Sequence, residues 1–312
     1  MKYLKNLVPE APDTPKSLDI TSPYDFTRIG IADLAEEKTV ERALKTAVEL
    51  YQDKKTWLAL PERLQILEKA AAIMRDEFDQ LVLEAAMEGG KPLIDSRIEV
   101  TRAIEGVKLC IETMRSEEGE LIPMGITAAS THKVAFTTPE PIGVVVAVSA
   151  FNHPLNLIVH QVGPAVAAGC PVIVKPASKT PISCFSFVDI LHRAGLPDGW
   201  CQAMVISDSS LATRLATDSR VAFLSFIGSS RVGWMLRSKL APGTRCALEH
   251  GGVAPVILAE DADLDIAVPK LLKGGFYHAG QVCVSAQRVF VHEAIVQPFA
   301  ERLAAEAGRL IV

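Results

Sequence analysis

A long stretch without charged side chains most constrains the fold of this chain. Residues 141–174 contain no Asp, Glu, Lys or Arg. The stretch is too interrupted for a membrane span, because Pro154, Pro164 and Pro171 break it and several Asn, His and Gln side chains lie within it. Central strands of a parallel sheet are covered on both faces and read as continuous apolar runs. We therefore predict a buried strand–helix–strand unit over these residues.

Strand and helix patterns alternate from residue 143 to residue 249. Such alternation is typical of a parallel sheet with helices on its faces. The predicted strands are 143–149, 172–175, 203–206, 223–227 and 245–249, and the predicted helices between them are 154–168, 181–194 and 229–240. The sequence therefore predicts an α/β fold with a doubly wound parallel sheet.

The segments on both sides of this region follow simpler patterns. Residues 1–35 are rich in Pro, Asp and Thr and are expected to lie on the surface as an extended arm. Apolar residues spaced by three and four predict a helix from Pro61 to Gly89-Gly90 and a second one through 104–114. A new structural unit is expected after Gly252, with a strand, a helix, a strand and a helix at 253–258, 263–272, 288–292 and 294–310.

Composition and charge exclude several classes of protein. The net charge is −5 and acidic and basic residues are interleaved, so no basic surface for nucleic acid is expected. The N-terminus lacks the apolar segment of a secretory signal, and we expect a cytoplasmic protein without a membrane segment. The six cysteines are scattered, without a C-x-x-C pair or a histidine cluster at zinc spacing, which disfavours both a disulfide framework and a metal site.

One cysteine and one glutamate lie in contexts suited to covalent catalysis. Cys283 follows Gly280-Gln281-Val282, and Glu249 precedes His250-Gly251-Gly252. A cysteine nucleophile with a carboxylate base is suited to acyl transfer through a thioester. Other interpretations stay open on local sequence. An isolated cysteine is usually a small buried hydrophobe, and the glutamate, predicted to end a buried strand, can cap a helix.

Two polar segments follow predicted strands and open helices. Asn152 precedes His153-Pro154, and its side chain is suited either to cap the helix or to donate to the oxygen of a tetrahedral intermediate. The run from Gly228 to Gly233 opens a helix whose free N–H groups would attract a pyrophosphate, but such a turn is also common as simple capping. Lys175 stands at a strand exit before Pro176, which is a common position for a lysine.

Taken together and in this order, Asn152, Lys175, Gly228, Glu249 and Cys283 resemble the motifs of the NAD(P)-dependent aldehyde dehydrogenase superfamily. The resemblance implies a Rossmann-like dinucleotide domain and the oxidation of an aldehyde to a carboxylate. Cys283 would form a thiohemiacetal and then a thioester, Glu249 would activate the water that hydrolyses it, and Asn152 would stabilise the oxyanion. The implied cofactor is NAD or NADP.

The resemblance also implies cofactor-binding positions. In the family, the lysine that matches Lys175 holds the adenosine ribose. A glutamate often lies shortly after it where NAD is preferred, whereas this chain has Ser178 followed by Lys179, so we expect NADP to be accepted at least as well as NAD. The residues expected to contact the cofactor are Ser149, Ala150, Phe151, Lys175, Ser178, Gly228, Ser229 and Gly233.

Domain boundaries follow from the same resemblance. The resemblance implies a dinucleotide-binding domain at residues 1–122 and 142–252 and a catalytic domain at 253–312. It also implies an oligomerisation arm at 123–141, with an exposed strand at 131–138. Family members run further, so we expect a C-terminally shortened member whose α/β catalytic domain is incomplete. A homo-oligomer, either a dimer or a tetramer, is expected if the arm is completed.

The helix after Asn152 gives an indication of the substrate. His153, Leu157 and His160 fall on one face at helical spacing, and Lys108 lies in the helix expected opposite. This polar face favours a small polar or anionic aldehyde. It is equally consistent with histidines that are satisfied within the core.

Three other functions compete with aldehyde oxidation to a carboxylate. Transfer of the acyl group to CoA is disfavoured by Glu249, since acylating members of the family tend to lack this base. A cysteine hydrolase would need a histidine base, and no histidine stands in a suitable motif. A non-catalytic remnant that at most binds nucleotide is the remaining alternative, because the chain covers only part of the family's pattern.

Overall fold

In the computed structural model, residues 1–311 are described and form two compact units. The first unit comprises Met1–Ile227 and Met235–Leu248, and the second comprises Gly228–Trp234 and the chain from Glu249 onward. The first unit holds the large hydrophobic core, and the second has a small core of its own. The domain boundaries expected from the sequence stay predictions.

The N-terminal residues form a small sheet. Its strands are β1 (Lys2–Leu4), β2 (Ser17–Thr21) and β3 (Arg28–Asp33), in the order β1-β3-β2. β3 pairs in parallel with β1 and antiparallel with β2, and Ile20 and Ala32 are buried in the core. The expectation of an extended surface arm over residues 1–35 is therefore wrong. The inward-facing apolar residues of these strands are hidden in the sequence among Pro, Asp and Thr.

A run of helices follows the small sheet: α1 (Glu37–Gln52), α2 (Leu60–Asp76), α3 (Phe78–Gly89) and α4 (Leu93–Ser116). α1 was not predicted, although it buries one face through Val40, Ala43, Leu44 and Ala47. The helix predicted from Pro61 to Gly90 is divided at Glu77 into α2 and α3. Gly90 ends α3 with a φ of 59°, the left-handed conformation that favours glycine.

The segment predicted as an arm carries a short hairpin. β4 (Leu121–Ile122) pairs antiparallel with β5 (Ala135–Phe136), so the strand predicted at 131–138 is shorter than expected. Several of its apolar side chains are exposed, including Leu121 at 75%, Ile126 at 84% and Phe136 at 71%.

The central sheet of the first unit is parallel through its middle strands and has the order β10-β9-β6-β7-β8. Its elements in chain order are β6 (Val144–Val148), α5 (Asn156–Ala167), β7 (Val172–Lys175), α6 (Ile182–Arg193), β8 (Cys201–Ala203), α7 (Ser209–Thr217), β9 (Val221–Gly228), α8 (Ser230–Arg237) and β10 (Arg245–His250). The chain runs outward from β6 to β8 and then returns to the other side of β6 with β9. The predicted α/β fold and the buried strand–helix–strand unit are confirmed, while α7 was not predicted.

The second unit contains a shorter pattern of the same kind. β11 (Val256–Leu258) pairs in parallel with β12 (Val289–Val291), and α9 (Leu264–Phe276) and α10 (Val296–Ala307) pack with them around Leu258, Val268, Leu271 and Phe299. Across residues 1–311, no helix has the length and apolar character to cross a membrane. Nor do the described side chains include a group of three or more His, Cys, Asp or Glu placed to hold a metal ion.

A buried carboxylate closes the start of α6. The helix has no capping side chain of its own, and Ile182 N (2.6 Å) and Ser183 N (2.8 Å) donate instead to Glu88 of α3. Ser183 Oγ donates to the same carboxyl group. Burial raises the pKa of Glu88 to about 8, even though these donors favour its charged form.

We expect the free energy of unfolding to fall as the pH rises from about 5 to about 8. The unfolded carboxyl group has its ordinary pKa of 4.5, so in this window the folded state binds the extra proton, and that advantage is lost as the pH passes the folded pKa. The free energy of unfolding should fall by at most about 5 kcal/mol over this window. Urea unfolding across this pH range tests it, with a flatter profile expected for Glu88→Gln. Equal slopes for the two proteins would contradict the assignment.

Candidate active site

The carboxyl ends of neighbouring parallel strands are level at the point where the strand order reverses. Val148, the last residue of β6, pairs with Lys175 of β7 on one side and with Phe226 of β9 on the other. In open α/β sheets, ligands bind outside the carboxyl ends of the strands at such a switch point. Ser149, Ala150 and Phe151 follow β6 directly at this edge.

Two polar groups at this edge fit a nucleotide. Ser149 Oγ is buried and has no hydrogen-bond partner among the described residues. Lys175 is half-buried, and desolvation lowers its pKa. Its ammonium donates to Pro176 O (3.0 Å), and within the described part of the chain no carboxylate forms an ion pair with it. A hydroxyl and an uncompensated cation at neighbouring strand ends are suited to the ribose hydroxyls and phosphates of a dinucleotide.

The loop after β7, residues 176–181, carries no acidic group. Ser178 is half-buried and its Oγ donates to Ile206 O at 3.2 Å, while Lys179 is exposed. The serine oxygen keeps its capacity to accept a hydrogen bond. The residues therefore fit either dinucleotide.

The predicted pyrophosphate turn lies in the second unit. Ser229 caps α8. Its side-chain Oγ accepts a hydrogen bond from Val232 N (3.4 Å), and its backbone O accepts one from Gly233 N (3.0 Å). Gly233 is buried, whereas Ser229 is exposed. Simple capping thus accounts for Ser229, and the contact of Gly228, Ser229 and Gly233 with a cofactor stays a prediction.

Asn152 does not cap the helix that follows it. α5 begins at Asn156 and the N-cap position is Leu155, three residues beyond Asn152. At the start of this helix, Glu99 Oε1 of α4 accepts hydrogen bonds from Leu155 N (2.9 Å) and Asn156 N (3.0 Å). The capping interpretation of Asn152 is therefore wrong, and its role as an oxyanion donor stays a prediction.

The three residues proposed for substrate binding lie in different environments. His153 is buried, and its Nδ1 accepts from Lys91 Nζ at 2.6 Å, so it is a satisfied core residue. Leu157 is half-buried and His160 is exposed. The His160 ring lies against Gly106 of α4, where an added Cβ would be 3.5 Å from its Cδ2 atom. Only Leu157 and His160 therefore remain candidates for contact with substrate.

Lys108, the cation expected opposite α5, lies on α4, which packs on α5. Lys108 forms a surface ion pair with Glu105 at 2.7 Å. Partial burial of its ring and, to a smaller extent, the charge of Arg102, one helical turn before Gly106, lower the pKa of His160. Arg102 was not predicted, because an arginine on a long helix is usually a solvated side chain.

Lys91 and Glu99 were also missed from the sequence. Both side chains are fully buried and form an ion pair of 2.7 Å. One signal was available: Glu99 lies in the buried stripe of α4 together with Ser96, Val100, Ala103 and Val107. A charged residue on an apolar stripe needs a buried partner.

Glu249 lies on an edge strand. β10 is the last strand of the sheet and its burial alternates, leaving Glu249 exposed. The expectation that Glu249 ends a buried strand is therefore wrong, since β10 has a neighbour on one side only. His250 packs edge-to-face on Trp234, with ring centroids 5.4 Å apart.

Cys283 is exposed on a tight turn that Ser285 N closes by donating to Val282 O at 3.0 Å. The chain reaches this turn through left-handed residues, with φ of 48° at His278, 54° at Ala279 and 73° at Gly280. Such a conformation costs on the order of 1 kcal/mol or more at each non-glycine residue and is often found at functional sites.

Glu249 and Cys283 both belong to the second unit. A Cβ added to Gly252 would lie 3.3 Å from Cys283 O, so the segment after Glu249 packs against the cysteine backbone. Asn152 belongs to the first unit. The meeting of Asn152 with Cys283 stays a prediction.

Comparison with known proteins matches nearly the whole chain to one family. Residues 10–312 match the model of the "Aldehyde dehydrogenase family". Among curated relatives, the 3-sulfolactaldehyde dehydrogenase of Priestia aryabhattai is 33% identical over 96% of this chain and 62% of its own length. The lactaldehyde dehydrogenase of Methanocaldococcus jannaschii is 33% identical over 95% of this chain and 63% of its own length. The chain thus spans less than two thirds of these relatives.

Solved structures agree with the same fold. Aldehyde dehydrogenase 21 from Physcomitrella patens, in complex with the reaction product succinate, is 34% identical, with a TM-score of 0.91 over 99% of this chain and 64% of that one. Glyceraldehyde-3-phosphate dehydrogenase GapN from Methanocaldococcus jannaschii, complexed with NADP, is 32% identical, with a TM-score of 0.88 over 95% of this chain and 64% of that one.

We expect iodoacetamide at neutral pH to alkylate Cys283 before any other cysteine. Cys283 is exposed, whereas Cys110 and Cys246 are half-buried and Cys170, Cys184 and Cys201 are buried. Burial also raises the pKa of Cys110 to about 11, which leaves little thiolate there. Peptide mass spectrometry over time measures the order, with Cys283→Ser as the control that removes the fast phase. Earlier labelling of any other cysteine would contradict the prediction.

Proposed function

Because the chain belongs to the aldehyde dehydrogenase family, we propose that it oxidises an aldehyde to a carboxylate with NAD(P) through a thioester on Cys283. The observation that carries this proposal is the exposure of Cys283 on a turn whose backbone packs against the segment that follows Glu249. A nucleophile open to solvent and near a carboxylate-bearing segment is suited to acyl transfer. A buried structural cysteine would not be placed in this way.

The chemistry is assigned to three side chains. The Cys283 thiolate attacks the aldehyde carbon, and Asn152 Nδ2 and the Cys283 N–H donate to the oxygen that becomes charged. One such donor typically stabilises the transition state by about 3 kcal/mol. NAD(P), when bound, would supply the hydride acceptor. Glu249 then removes a proton from the water that attacks the Cys283 thioester, which releases the carboxylate and frees the thiol.

The cofactor is assigned to the carboxyl edge of the parallel sheet. Ser149, Lys175 and Ser178 are proposed to hold it, with Ala150 and Phe151 lining the loop after β6 and Gly228, Ser229 and Gly233 at the start of α8. The buried hydroxyl of Ser149 and the uncompensated ammonium of Lys175 support this assignment. Since no carboxylate stands at position 178 to repel a 2′-phosphate, NADP is proposed to be used at least as well as NAD.

The substrate is proposed to be a small anionic aldehyde. The charge of Arg102 acts on the exposed ring of His160, which lies on α5 with the half-buried Leu157. The names of the relatives agree with this class, since 3-sulfolactaldehyde and glyceraldehyde 3-phosphate both carry an acidic group. Arg102 takes the place that the sequence had suggested for Lys108.

The β4–β5 hairpin is proposed to join subunits in a homo-oligomer. Its exposed apolar side chains, Leu121, Ile126 and Phe136, would be covered in such a contact. Apolar side chains that project together from a hairpin commonly mark an interface.

We expect the purified chain to form NADPH or NADH when mixed with an aldehyde and cofactor. The panel should include succinate semialdehyde, glyceraldehyde 3-phosphate and 3-sulfolactaldehyde beside hexanal, each with NAD and with NADP. Absorbance of the reduced nicotinamide gives the rates. Cys283→Ala should remove turnover entirely, because no other group replaces the thiolate. Binding of the nucleotide without any reduction would contradict the proposed activity. Faster turnover of hexanal than of the anionic aldehydes would contradict the proposed substrate class.

Arg102→Leu separates substrate recognition from chemistry within the same assay. Loss of one charge-assisted contact, worth about 1.5–3 kcal/mol, should raise KM for anionic aldehydes roughly 10- to 100-fold. Hexanal should be unaffected. Arg97→Leu is the matched control, because Arg97 lies on the same helix but pairs with Asp79 on the surface (2.8 Å).

A further inference from the structure

A buried charged cluster lies beside Asn152. Lys91 Nζ contacts Glu99 Oε2 at 2.7 Å and His153 Nδ1 at 2.6 Å. The side chains of Lys91 and Glu99 have no solvent exposure. Because an ammonium can only donate, His153 Nδ1 accepts and the ring proton lies on Nε2. The cluster is therefore a satisfied network of one cation, one anion and one neutral ring.

The anion of this cluster serves the start of α5. Glu99 Oε1 accepts from Leu155 N (2.9 Å) and Asn156 N (3.0 Å), while Glu99 Oε2 faces Lys91. The sequence around Leu155 offers no capping side chain. A carboxylate from another helix thus satisfies backbone donors that would otherwise be buried without partners. These donors lie at the N-terminus of α5, where the helix dipole favours negative charge.

The contacts of the cluster fall on the residues that immediately follow the proposed oxyanion donor. Lys91 Nζ lies 3.5 Å from Asn152 O and binds the ring of His153. Glu99 binds the backbone of Leu155 and Asn156. The segment 152–156 is thereby attached at several points to Lys91 and to α4. A donor held in this way keeps its geometry when the rest of the loop fluctuates.

We infer that Glu99 and Lys91 are positioning residues that fix Asn152 for stabilisation of the oxyanion, and this inference rests on the proposed function. Misplacement of a catalytic group by 1 Å can cost on the order of 100-fold in rate, so a fixed loop has a direct kinetic consequence. Stability alone is a weak explanation, because buried ion pairs commonly contribute less to stability than apolar residues of similar volume.

A second buried glutamate provides a matched comparison. Glu88 caps α6 as Glu99 caps α5, through two backbone N–H groups. Glu88 has no cation against it in the described residues, and burial raises its pKa to about 8. Burial also opposes ionisation of Glu99, yet the Lys91 charge and the hydrogen bonds from Lys91 and Asn156 N hold the pKa of Glu99 below its ordinary value. Glu99 therefore keeps a negative charge at neutral pH beside the Asn152 loop.

A double-mutant cycle between positions 99 and 152 tests the inference. Single-turnover rates of NADPH formation are measured for the wild type, Glu99→Gln, Asn152→Ala and the combined variant. We expect Glu99→Gln to lower the rate about 100-fold, with changes of less than about 2-fold in the Kd for NADP. In the Asn152→Ala background, Glu99→Gln should have little further effect, because the group that it positions is gone. Multiplicative losses in the combined variant would overturn the inference.

The same cycle with Glu88→Gln controls for a general effect of losing a buried cap. Glu88→Gln should change the single-turnover rate less than about 2-fold in either background, since its contacts lie on α6. Lys91→Met/Glu99→Gln serves as a second variant if Glu99→Gln is poorly folded, because it removes both buried charges together. Lys91→Met/Glu99→Gln should fold and still show the lowered single-turnover rate.

Hydrogen exchange of residues 151–157 distinguishes failure of this inference from failure of the proposed function. Glu99→Gln should accelerate exchange in this segment, and Glu88→Gln should not. If the wild type forms no NADPH, the proposed function is wrong while faster exchange still supports the attachment of the loop. Unchanged exchange in Glu99→Gln would overturn the inference whether or not the wild type is active.

Discussion

The parallel pairing of β6 with both β7 and β9 is the constraint on which the first unit depends. Parallel neighbours require crossover connections, so α5 must return across a face of the sheet between β6 and β7, as α6 does between the parallel strands β7 and β8. The four buried valine and alanine residues at the start of β6 follow from this, because a central strand is covered on both faces. The same pairing leaves the carboxyl ends of β6, β7 and β9 side by side, with the order of strands reversing between β6 and β9.

Helix starts near this edge are completed by carboxyl groups from elsewhere in the chain. Glu88 reaches α6 from α3, and Glu99 reaches α5 from α4. Neither α5 nor α6 has a capping side chain of its own. The loops that precede these helices are thus free to carry other residue types, among them Asn152 before α5 and Ser178 before α6. Burying a carboxylate is costly unless it is hydrogen-bonded, and both glutamates receive backbone N–H groups that satisfy them.

Much of the fold could be predicted from sequence, because the signals were periodic and local. The apolar run of β6, α5 and β7 is an example, and so is the end of α3 at Gly90. The small N-terminal sheet was missed because its pairing joins β1 and β3, which are distant in sequence. For the site, local motifs indicated Cys283 and Asn152, whereas Arg102 and Lys91 were found only from tertiary contacts, and the one signal for Glu99, its position on the apolar stripe of α4, was missed. A charged residue on a helix is usually solvated, so its burial depends on tertiary contacts that no local pattern contains.

In the proposed reaction, Cys283 carries the acyl group and Glu249 activates the water that removes it. Mass spectrometry of tryptic peptides from Glu249→Gln, quenched after mixing with succinate semialdehyde and NADP, tests this most directly. We expect a succinyl group on the Cys283 peptide that accumulates in Glu249→Gln and is scarce in the wild type. A peptide without the adduct, or an adduct on another residue, would contradict it.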